Sequence, residues 1–361
     1  MSVVILGSTG SIGVNALKIA KRYDIEVEAL VAGSSIELLN RQIAQFKPKF
    51  VAIKDEKDRE LVNHDRVFVG DDGILELLEL STSSRVINAL VGFAGLKPTL
   101  KSLELGKKLS LANKESLVIA GKFIDSSKLI PIDSEHFGLW YLLGDRKVKK
   151  LYITASGGAF RDWDIKKIEN ATLKDALKHP NWSMGQKITI DSASMVNKLF
   201  ELLEARWLFD TSDIDAYIER NSIVHALVEF VDGVTTAQLS GTDMKLPIAY
   251  AMVDRVDEEI LPPLNLLELN AIEFEEIKEE RYPMWQIKEH LLANPEMGVV
   301  LNRANEVAIK GFVEDRYNFG EMIRRVLKTY RAFDKTKASS LQELFEIDKE
   351  VEIFATKITS T

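Results

Sequence analysis

The stretch that decides the fold is Val3-Val4-Ile5-Leu6-Gly7-Ser8-Thr9-Gly10-Ser11-Ile12-Gly13, an apolar run followed by three regularly spaced glycines. The apolar run predicts a buried strand, and Val14–Arg22 has the apolar periodicity of a helix. Glycines at such a turn let backbone N–H groups approach a pyrophosphate. The stretch therefore predicts a dinucleotide-binding site, with a purely structural turn as the alternative.

Short apolar runs continue to alternate with helical patterns up to about Pro131. This alternation predicts a mostly parallel sheet covered by helices on both faces, which is a Rossmann-like α/β fold. The predicted helices include Val14–Arg22 and Ile36–Phe46. The predicted strands are Val3–Leu6, Val27–Ala32, Phe50–Ile53, Val67–Val69, Arg85–Val91 and Leu109–Ala112.

The end of the second predicted strand indicates which dinucleotide is bound. An Asp or Glu at this point usually holds the ribose 2′-hydroxyl of NAD. This chain has Ala32-Gly33-Ser34-Ser35 instead, so two hydroxyl groups stand at a helix start and no carboxylate repels a 2′-phosphate. The sequence favours NADP. Two later strand ends, Asn88–Gly95 and Asn113-Lys114-Glu115-Ser116, place further polar groups where ligands of parallel sheets bind, although Lys114 and Glu115 also suit a solvated helix start.

Composition narrows the class of protein. The 361 residues, 46% of them hydrophobic and 28% charged, predict a globular protein of two or three domains. A net charge of −8 argues against nucleic-acid and membrane-surface partners. The chain has no cysteine, which fits a reducing cytoplasm and excludes thiolate sites. We expect no secretory signal and no membrane-spanning segment.

Two carboxylates, Asp133 and Glu135, follow the apolar run Leu129–Ile132. In extended chain, residues two apart point the same way, so both could hold one ion. Oxygen ligands suit Mg²⁺ or Mn²⁺, and Glu201 is the candidate third ligand. A charged loop without an ion is the alternative.

The run His179–Glu201 combines three predicted features. His179–Gly185, which contains Trp182, predicts a flap that closes over a ligand, unless Trp182 only holds a loop in place. Lys187–Ile190 predicts a short strand. A helix then begins, capped by Asp191 or Ser192. Its polar face carries residues at helical spacing, which an ordinary solvated helix would also show: Ser194, Asn197, Lys198 and Glu201.

A phosphate site is predicted from donor groups in two segments. Leu151–Thr154 predicts a strand, and Ser156 beside Gly157-Gly158 offers hydroxyl and backbone donors. With Ser192, Asn197 and Lys198, Ser156 could hold one phosphate. An ordinary Gly-Gly turn is the alternative.

The rest of the chain predicts two further domains. His225–Phe230 and Thr235–Ser240 flank an Asp-Gly turn and predict an antiparallel hairpin, hence an α+β domain whose sheet could pair subunits. Helical patterns follow at Trp285–Leu292, Gly298–Glu314, Phe319–Ala332 and Ser340–Ile347. The predicted division is 1–131, cofactor domain; 132–257, catalytic domain; 258–281, linker; and 282–361, helical domain.

Taken together, the motifs resemble the 1-deoxy-D-xylulose 5-phosphate reductoisomerase family nearly end to end. They are GSTGSIG at Gly7–Gly13, LANKESLV at Leu111–Val118, PIDSEH at Pro131–His136, ASGGAF at Ala155–Phe160, HPNWSMGQKITIDSASMVNK at His179–Lys198 and LNRANEVA at Leu301–Ala308. The chain departs from the usual family pattern at Ser34-Ser35, at Leu199-Phe200 and at Arg303, where an alanine is usual.

The resemblance implies a role for each matching residue. It implies metal ligation by Asp133, Glu135 and Glu201, and catalytic roles for these three with Lys114 and His179. It implies substrate contacts by Ser134, Glu135, Ser156, His179, Trp182, Ser192, Asn197, Lys198 and Glu201. It implies NADPH contacts by Gly7, Thr9, Gly10, Ser11, Ile12, Gly33, Ser34, Ser35, Asn113, Lys114, Glu115, Met184 and Gly185.

The resemblance also implies a homodimer that uses NADPH and Mg²⁺ or Mn²⁺ to convert 1-deoxy-D-xylulose 5-phosphate into 2-C-methyl-D-erythritol 4-phosphate. The implied chemistry is a retro-aldol and aldol rearrangement followed by hydride transfer. Two other functions remain open on the residues alone. One is a metal-independent NADP-dependent dehydrogenase or semialdehyde reductase, and the other is a non-enzymatic dinucleotide sensor.

Overall fold

The computed structural model describes residues 1–269 and 271–358, in two compact units. The first unit comprises Met1–Ser116, Asp125–Phe137 and Asp243–Pro262; the second comprises Leu117–Ile124, Gly138–Thr242 and the described part of Pro263–Thr361. The predicted linker includes residue 270, and the predicted helical domain includes 359–361, so those parts lie outside the described residues. The division into three domains stays a prediction.

A parallel sheet forms the centre of the first unit. Its described strands are β1 Ser2–Leu6, β2 Glu26–Ala32, β3 Phe50–Ile53, β4 Val67–Val69, β5 Arg85–Asn88, β6 Lys108–Leu111 and β7 Leu129–Pro131. They lie in the order β4-β3-β2-β1-β5-β6-β7, and every neighbouring pair is parallel. The order reverses between β1 and β5, which is where parallel sheets open a crevice for ligands. The predicted Rossmann-like fold is confirmed.

The α-helices of the described chain begin and end as follows. They are α1 Ser11–Arg22, α2 Ile36–Phe46, α3 Gly70–Leu80, α4 Leu96–Glu104, α5 Lys114–Ala120, α6 Ser134–Leu142, α7 Ile165–Ile168, α8 Leu173–Ala176, α9 Gln186–Ser194, α10 Val196–Phe209, α11 Lys245–Met252, α12 Lys288–Ala293, α13 Gly298–Val313, α14 Phe319–Ala332 and α15 Leu341–Lys357. None of them combines the length and apolar character needed to cross a membrane.

The core of the first unit lies between its sheet and helices α1, α2 and α11. Leu17, Leu39 and Ile248 pack with the strand residues Ile5 and Leu30, and all five are buried. Because helices cover the sheet, its strands are apolar almost without interruption, unlike strands with one solvated face. This burial fixes the strand ends that carry the predicted cofactor contacts.

A mixed sheet forms the second unit's β-structure. Its described strands are β8 Val148–Ala155, β9 Ile214–Ile218, β10 Val224–Phe230 and β11 Thr235–Leu239, in the order β11-β10-β8-β9. The pairs β8–β10 and β10–β11 are antiparallel, and β8–β9 is parallel. Gly233 has a φ of 89° in the β10–β11 turn. The predicted hairpin and the α+β character are confirmed.

The structure corrects the predicted strand Lys187–Ile190, which lies within helix α9. Alternating Lys, Ile, Thr and Ile suggested a strand, but the Lys187–Asp191 ion pair and the buried faces follow helical spacing. Asp191 and Ser192 are therefore inside a helix and cap nothing. The residue before α10 is Met195, so Ser194 does not share the α10 face.

Other differences concern element ends. The predicted strand Arg85–Val91 stops at Asn88, because a short 3₁₀ helix, Gly92–Gly95, follows. The predicted helix Ser340–Ile347 continues to Lys357, with Ser340 as its N-cap. The predicted helix Trp285–Leu292 is a 3₁₀ turn, Pro283–Ile287, followed by α12. Local patterns locate elements better than they locate their ends.

Candidate active site

The glycine turn after β1 packs tightly against the neighbouring strand end. Gly7 has a φ of 86°, and a Cβ there would lie 2.5 Å from the Ala89 carbonyl oxygen. A Cβ on Gly13 would lie 2.2 Å from the Gly7 carbonyl oxygen. Both positions therefore require glycine, because side chains would separate α1 from β1 and β1 from the β5 loop.

The same turn leaves room where a ligand would approach. A Cβ on Gly10 would meet only the Gly7 oxygen at 3.5 Å, an ordinary contact, and Gly10 is exposed. At the end of β2, Gly33, Ser34 and Ser35 are also exposed, and nothing lies within 4 Å of a Cβ on Gly33. The remaining predicted contacts of this turn are half-buried Thr9 and Ile12 and exposed Ser11.

Asn113 uses its side chain to build the site. Its Nδ2 donates to the carbonyl oxygens of Leu90 and Gly92 at 2.8 and 2.9 Å, which fixes the loop after β5. It also lies 3.2 Å from Glu115 Oε2. Asn113 is buried, so the structure gives it a role in holding the crevice that the sequence did not predict.

Lys114 and Asp133 form an ion pair in the first unit. The Lys114 Nζ lies 2.6 Å from Asp133 Oδ2, and His136 Nδ1 lies 3.3 Å from Asp133 Oδ1. Burial alone would raise the pKa of Asp133, but Lys114 and His136 outweigh it and hold that pKa well below its usual value. Asp133 is therefore ionised.

Glu135 lies in the first turn of α6 and not in extended chain, which corrects the premise of the two-residue spacing. The Phe137 N–H donates to the Asp133 carbonyl at 2.8 Å, and the Glu135 N–H donates to Asp133 Oδ1 at 3.3 Å. Ser134 donates its hydroxyl to Glu135 Oε2. Asp133, Ser134 and Glu135 are thus grouped by a helix start.

In the second unit, Ser156 and His179 are in direct contact. Ser156 Oγ lies 2.9 Å from His179 Nε2 and accepts from the Gly158 N–H at 3.1 Å. His179 Nδ1 accepts from the N–H groups of Asn181 and Trp182 at 3.2 and 2.9 Å. Burial first, and the charge of Arg161 second, lower the pKa of His179 to about 4. His179 is neutral at pH 7.

The rest of the predicted flap lies between His179 and α9. Trp182 meets the buried ring of His225 edge-on, with 6.1 Å between ring centroids. Met184 is half-buried, and Gly185, directly before α9, is exposed. The half-buried indole therefore has a protein partner in this structure.

The predicted phosphate ligands Ser156 and Ser192 lie on adjoining segments. A Cβ on Gly158 would lie 2.6 Å from the Ser192 carbonyl oxygen, so the glycine brings the turn after β8 against the end of α9. Met195 then takes a left-handed conformation, with a φ of 69°, between α9 and α10. Such a conformation in a buried methionine marks a constrained junction.

One face of α10 carries Asn197, Lys198 and Glu201, as predicted. Asn197 Nδ2 donates to Glu201 Oε1 at 2.5 Å, and Lys198 forms an ion pair with the other oxygen. Lys198 and Glu201 are both buried. A buried carboxylate beside an ammonium group supplies anionic and cationic contacts within a single turn of helix.

Comparison with known protein families identifies the chain. The sequence model of 1-deoxy-D-xylulose 5-phosphate reductoisomerase matches residues 3–121, and two models of the enzyme's C-terminal domains match 129–209 and 239–353. The chain belongs to the 1-deoxy-D-xylulose 5-phosphate reductoisomerase family. The resemblance inferred from the motifs is thereby confirmed, and the chain is an enzyme of this class.

Individual members of the reductoisomerase family match over nearly their whole length. The enzyme of that name from Nautilia profundicola is 59% identical over 97% of this chain and 98% of its own. The reductoisomerase from Wolinella succinogenes is 53% identical over 99% of this chain and 100% of its own. A crystal structure of the reductoisomerase with NADPH, fosmidomycin and magnesium has a TM-score of 0.91 at 34% identity, covering 99% of this chain and 97% of that one.

A second solved reductoisomerase, from Zymomonas mobilis in complex with NADPH, has a TM-score of 0.88 at 30% identity. It covers 98% of this chain and 97% of that one. Arg303 on α13 pairs its guanidinium with Asp348 on α15, with Nε at 2.8 Å from Oδ1, which joins the two helices by an ion pair.

Sequence reasoning missed His136 and Arg161, and it left open whether Asn305 is a surface residue or supports the active site from behind. His136 contacts Asp133, Arg161 contacts the Ser156 carbonyl, and Asn305 contacts Asp191. The three-residue spacing of Asp133 and His136 across a helix start could have revealed the first. No sequence signal indicates Arg161, because its bond joins segments that only folding brings together.

Proposed function

We propose that this protein converts 1-deoxy-D-xylulose 5-phosphate into 2-C-methyl-D-erythritol 4-phosphate, using NADPH and Mg²⁺ or Mn²⁺. Family membership over nearly the whole chain carries this proposal. The relatives solved with NADPH and with magnesium support the choice of cofactor and ion. The substrate is a small phosphorylated sugar, and no nucleic acid or membrane takes part.

The residues present fit both groups. For NADPH, the turn Gly7–Gly13 offers backbone donors and space at Gly10, and the exposed Ser34 and Ser35 end β2 without a carboxylate. For the cation, we propose Asp133, Glu135 and Glu201, the ligands that the family resemblance implies. These are oxygen donors only, which suits Mg²⁺ or Mn²⁺ better than zinc.

When bound, the cation would act as a Lewis acid on the sugar oxygens, and NADPH would supply the hydride. Lys114 keeps Asp133 ionised through their ion pair, and Lys198 forms an ion pair with Glu201. Ser134, which donates to Glu135, orients that carboxylate and is itself placed to contact the substrate. These contacts hold the three carboxylates in place.

We assign the substrate phosphate to Ser156, Ser192, Asn197 and Lys198, with His179 as a further substrate contact that orients Ser156. Hydroxyl and amide donors with one ammonium group match the acceptor-rich charge of a phosphate. Binding at this remote end contributes the energy that closes the flap carrying Trp182 and excludes water from the reacting carbons.

We further propose a cytoplasmic homodimer. One face of the second unit's sheet carries Tyr152 and Tyr217, stacked with centroids 5.3 Å apart, and neither ring is buried. Phe274 lies beside Tyr217, and Tyr152 donates its hydroxyl to Glu229. An aromatic face of this kind, rimmed by charged groups, suits burial against a second copy. The absence of cysteine fits the cytoplasm.

The test is the loss of NADPH absorbance on mixing the protein with 1-deoxy-D-xylulose 5-phosphate and Mg²⁺. EDTA should abolish the signal, and Mn²⁺ should restore it. Glu201→Gln should lower kcat by about 10³-fold or more, because it removes one charge from the cation site, and should leave the Kd for NADPH unchanged. The exposed Glu350→Gln on α15 is the matched control.

Turnover that persists in EDTA would favour a metal-independent NADP-dependent reductase. NADPH binding without consumption would favour a dinucleotide sensor. If Glu201→Gln loses NADPH binding as well as turnover, Glu201 has a cofactor role and the proposed ligand set is wrong.

A further inference from the structure

Arg161 joins two separate segments of the second unit. Its Nη1 donates to the carbonyl oxygen of Ser156 at 2.9 Å and to that of Arg220 at 2.6 Å. The first carbonyl belongs to the turn after β8, and the second follows β9. One guanidinium nitrogen therefore fixes the distance between the Ser156 turn and the β9–β10 connection.

The flap is attached to the same point. Asn181 Nδ2 donates to the Arg220 carbonyl oxygen and to Ser222 Oγ, both at 2.7 Å. The Arg220 oxygen thus accepts from Arg161 and from Asn181 together. Since His179 on the flap contacts Ser156, the bonds close a ring through Ser156, His179, Asn181, Arg220 and Arg161.

This ring of hydrogen bonds determines where the protons of His179 and Ser156 lie. Because His179 Nδ1 accepts two backbone N–H groups, the proton of the neutral ring is on Nε2, and that N–H donates to Ser156 Oγ. Ser156 Oγ also accepts from the Gly158 N–H. Among the described residues, no acceptor is found for the Ser156 hydroxyl hydrogen, so it is available to a phosphate oxygen.

We propose that Arg161 is a positioning residue for the substrate phosphate, tying the Ser156 turn to the flap through the Ser156 and Arg220 carbonyls, with Asn181 as its partner. The inference rests on the phosphate site of the proposed function. Without the guanidinium, the Ser156 turn and the flap separate, and His179 no longer orients the Ser156 hydroxyl group toward the phosphate. Arg161 touches neither substrate nor cofactor in this role.

The surroundings of Arg161 allow a direct test of the guanidinium. Arg161 and Arg220 line a cavity of about 640 Å³ together with Tyr282 and Arg281. The volume is large enough for a guanidinium ion to enter from solution. In Arg161→Ala, the added ion can therefore take the place of the deleted group.

The experiment compares wild type, Arg161→Ala and Arg161→Lys in steady-state kinetics and measures the Ki of inorganic phosphate as a competitive inhibitor. For Arg161→Ala we expect the substrate KM and the phosphate Ki to rise about 10-fold or more. We expect kcat to change less than about 3-fold and the KM for NADPH to stay constant. Low millimolar guanidinium should restore KM, and methylammonium should not. Arg161→Lys keeps the positive charge but lacks the planar guanidinium. Its KM and Ki should lie between those of the wild type and those of Arg161→Ala.

Arg324→Ala is the control, because among the described residues the exposed Arg324 side chain forms ion pairs with Glu169 and Glu321 and none with the Ser156 turn or the flap. If Arg161→Ala folds poorly, Asn181→Ala on the half-buried flap must raise the same KM and Ki. In the double variant, the rise in KM and Ki should be smaller than the combined effects of the two single substitutions, since both side chains bond to the Arg220 carbonyl.

An unchanged KM and Ki in Arg161→Ala or Asn181→Ala overturns the inference. So does a parallel loss of kcat and NADPH binding that guanidinium does not reverse, which indicates a general structural defect. If the wild type does not turn over the sugar phosphate at all, the proposed function fails. Phosphate binding, measured by its effect on melting temperature, then still tests Arg161.

Discussion

Asn305 on α13 donates a hydrogen bond of 2.6 Å to the carboxylate of Asp191 on α9, across 114 residues of chain. The other oxygen of Asp191 pairs with Lys187 Nζ at 2.9 Å. Asp191 is 2% exposed, so both bonds replace water around a buried charge. Because Ser192 follows Asp191, this contact supports the proposed phosphate site from behind.

Asn305→Ala should lower the free energy of unfolding by about 1–3 kcal/mol, because it leaves a buried carboxylate with one partner fewer. The KM for the phosphorylated substrate should also rise. Urea unfolding and steady-state kinetics measure the two effects. Asn294→Ala, which removes only a local bond to the His290 carbonyl, is the control. Equal stability of both variants would contradict this role for Asn305.

Glu28 predicts how stability depends on pH. The carboxylate is 1% exposed and accepts from Ser81 Oγ at 2.6 Å, Thr82 Oγ1 at 2.7 Å and Ser83 Oγ at 2.6 Å. Burial alone would raise the pKa of Glu28, but the bonds from Ser81, Ser83 and Thr82 outweigh it and hold that pKa far below its usual value. A lowered folded-state pKa stabilises the fold above the unfolded pKa of about 4.3, and this contribution is lost as the pH falls below it.

Glu28→Gln should therefore cost about 2 kcal/mol or more at pH 7, since an amide cannot accept every bond. The difference from wild type should narrow by about 1.4 kcal/mol for each pH unit below about 4.3. Denaturant unfolding between pH 3 and pH 7 measures this. Glu26→Gln, on the exposed start of the same strand, should show little effect. A difference that is constant with pH would show that Glu28 titrates normally.

Substitutions at two glycines of the first turn should have different effects, one on folding and the other on cofactor binding. Gly13→Ala puts a methyl group 2.2 Å from the Gly7 oxygen and should lower the melting temperature. Gly10→Ala fits at 3.5 Å, so the fold should persist while the added methyl group obstructs NADPH and raises its Kd. Thermal melting and NADPH fluorescence titration measure the two effects. Unchanged NADPH affinity in Gly10→Ala would place the pyrophosphate elsewhere.

The proposed dimer face can be tested by a charge. Tyr217→Lys on the half-exposed sheet face should shift the protein from dimer to monomer, because a charge buried between copies has no partner. Light scattering after size exclusion measures the mass. Leu80→Lys, at an exposed apolar position on α3 in the first unit, is the control. A wild-type monomer, or a dimer that survives Tyr217→Lys, would exclude this face.

The local patterns succeeded where local physics decides the outcome. The β1 run, the glycine turn and α1 were predicted correctly, because a buried strand and an amphipathic helix have distinct apolar periods. The prediction for the α9 region was wrong, because its local pattern differs from the structure that packing stabilises. Lys187–Ile190 has the alternation of a strand, and only packing, which buries Ile190 and Ala193 together, makes it a helix.

By itself, the sequence determined the Rossmann-like first unit, the hairpin of the second, the family and the residue types of the site. Tertiary structure alone decided that Lys114 forms an ion pair with Asp133. It also decided that Arg161 joins Ser156 to the Arg220 carbonyl and that Asp191 is the residue to which Asn305 donates. The reason is that periodicity and turn chemistry act over a few residues. Hydrogen bonds and ion pairs between distant segments depend on how buried surfaces pack, which no local pattern contains.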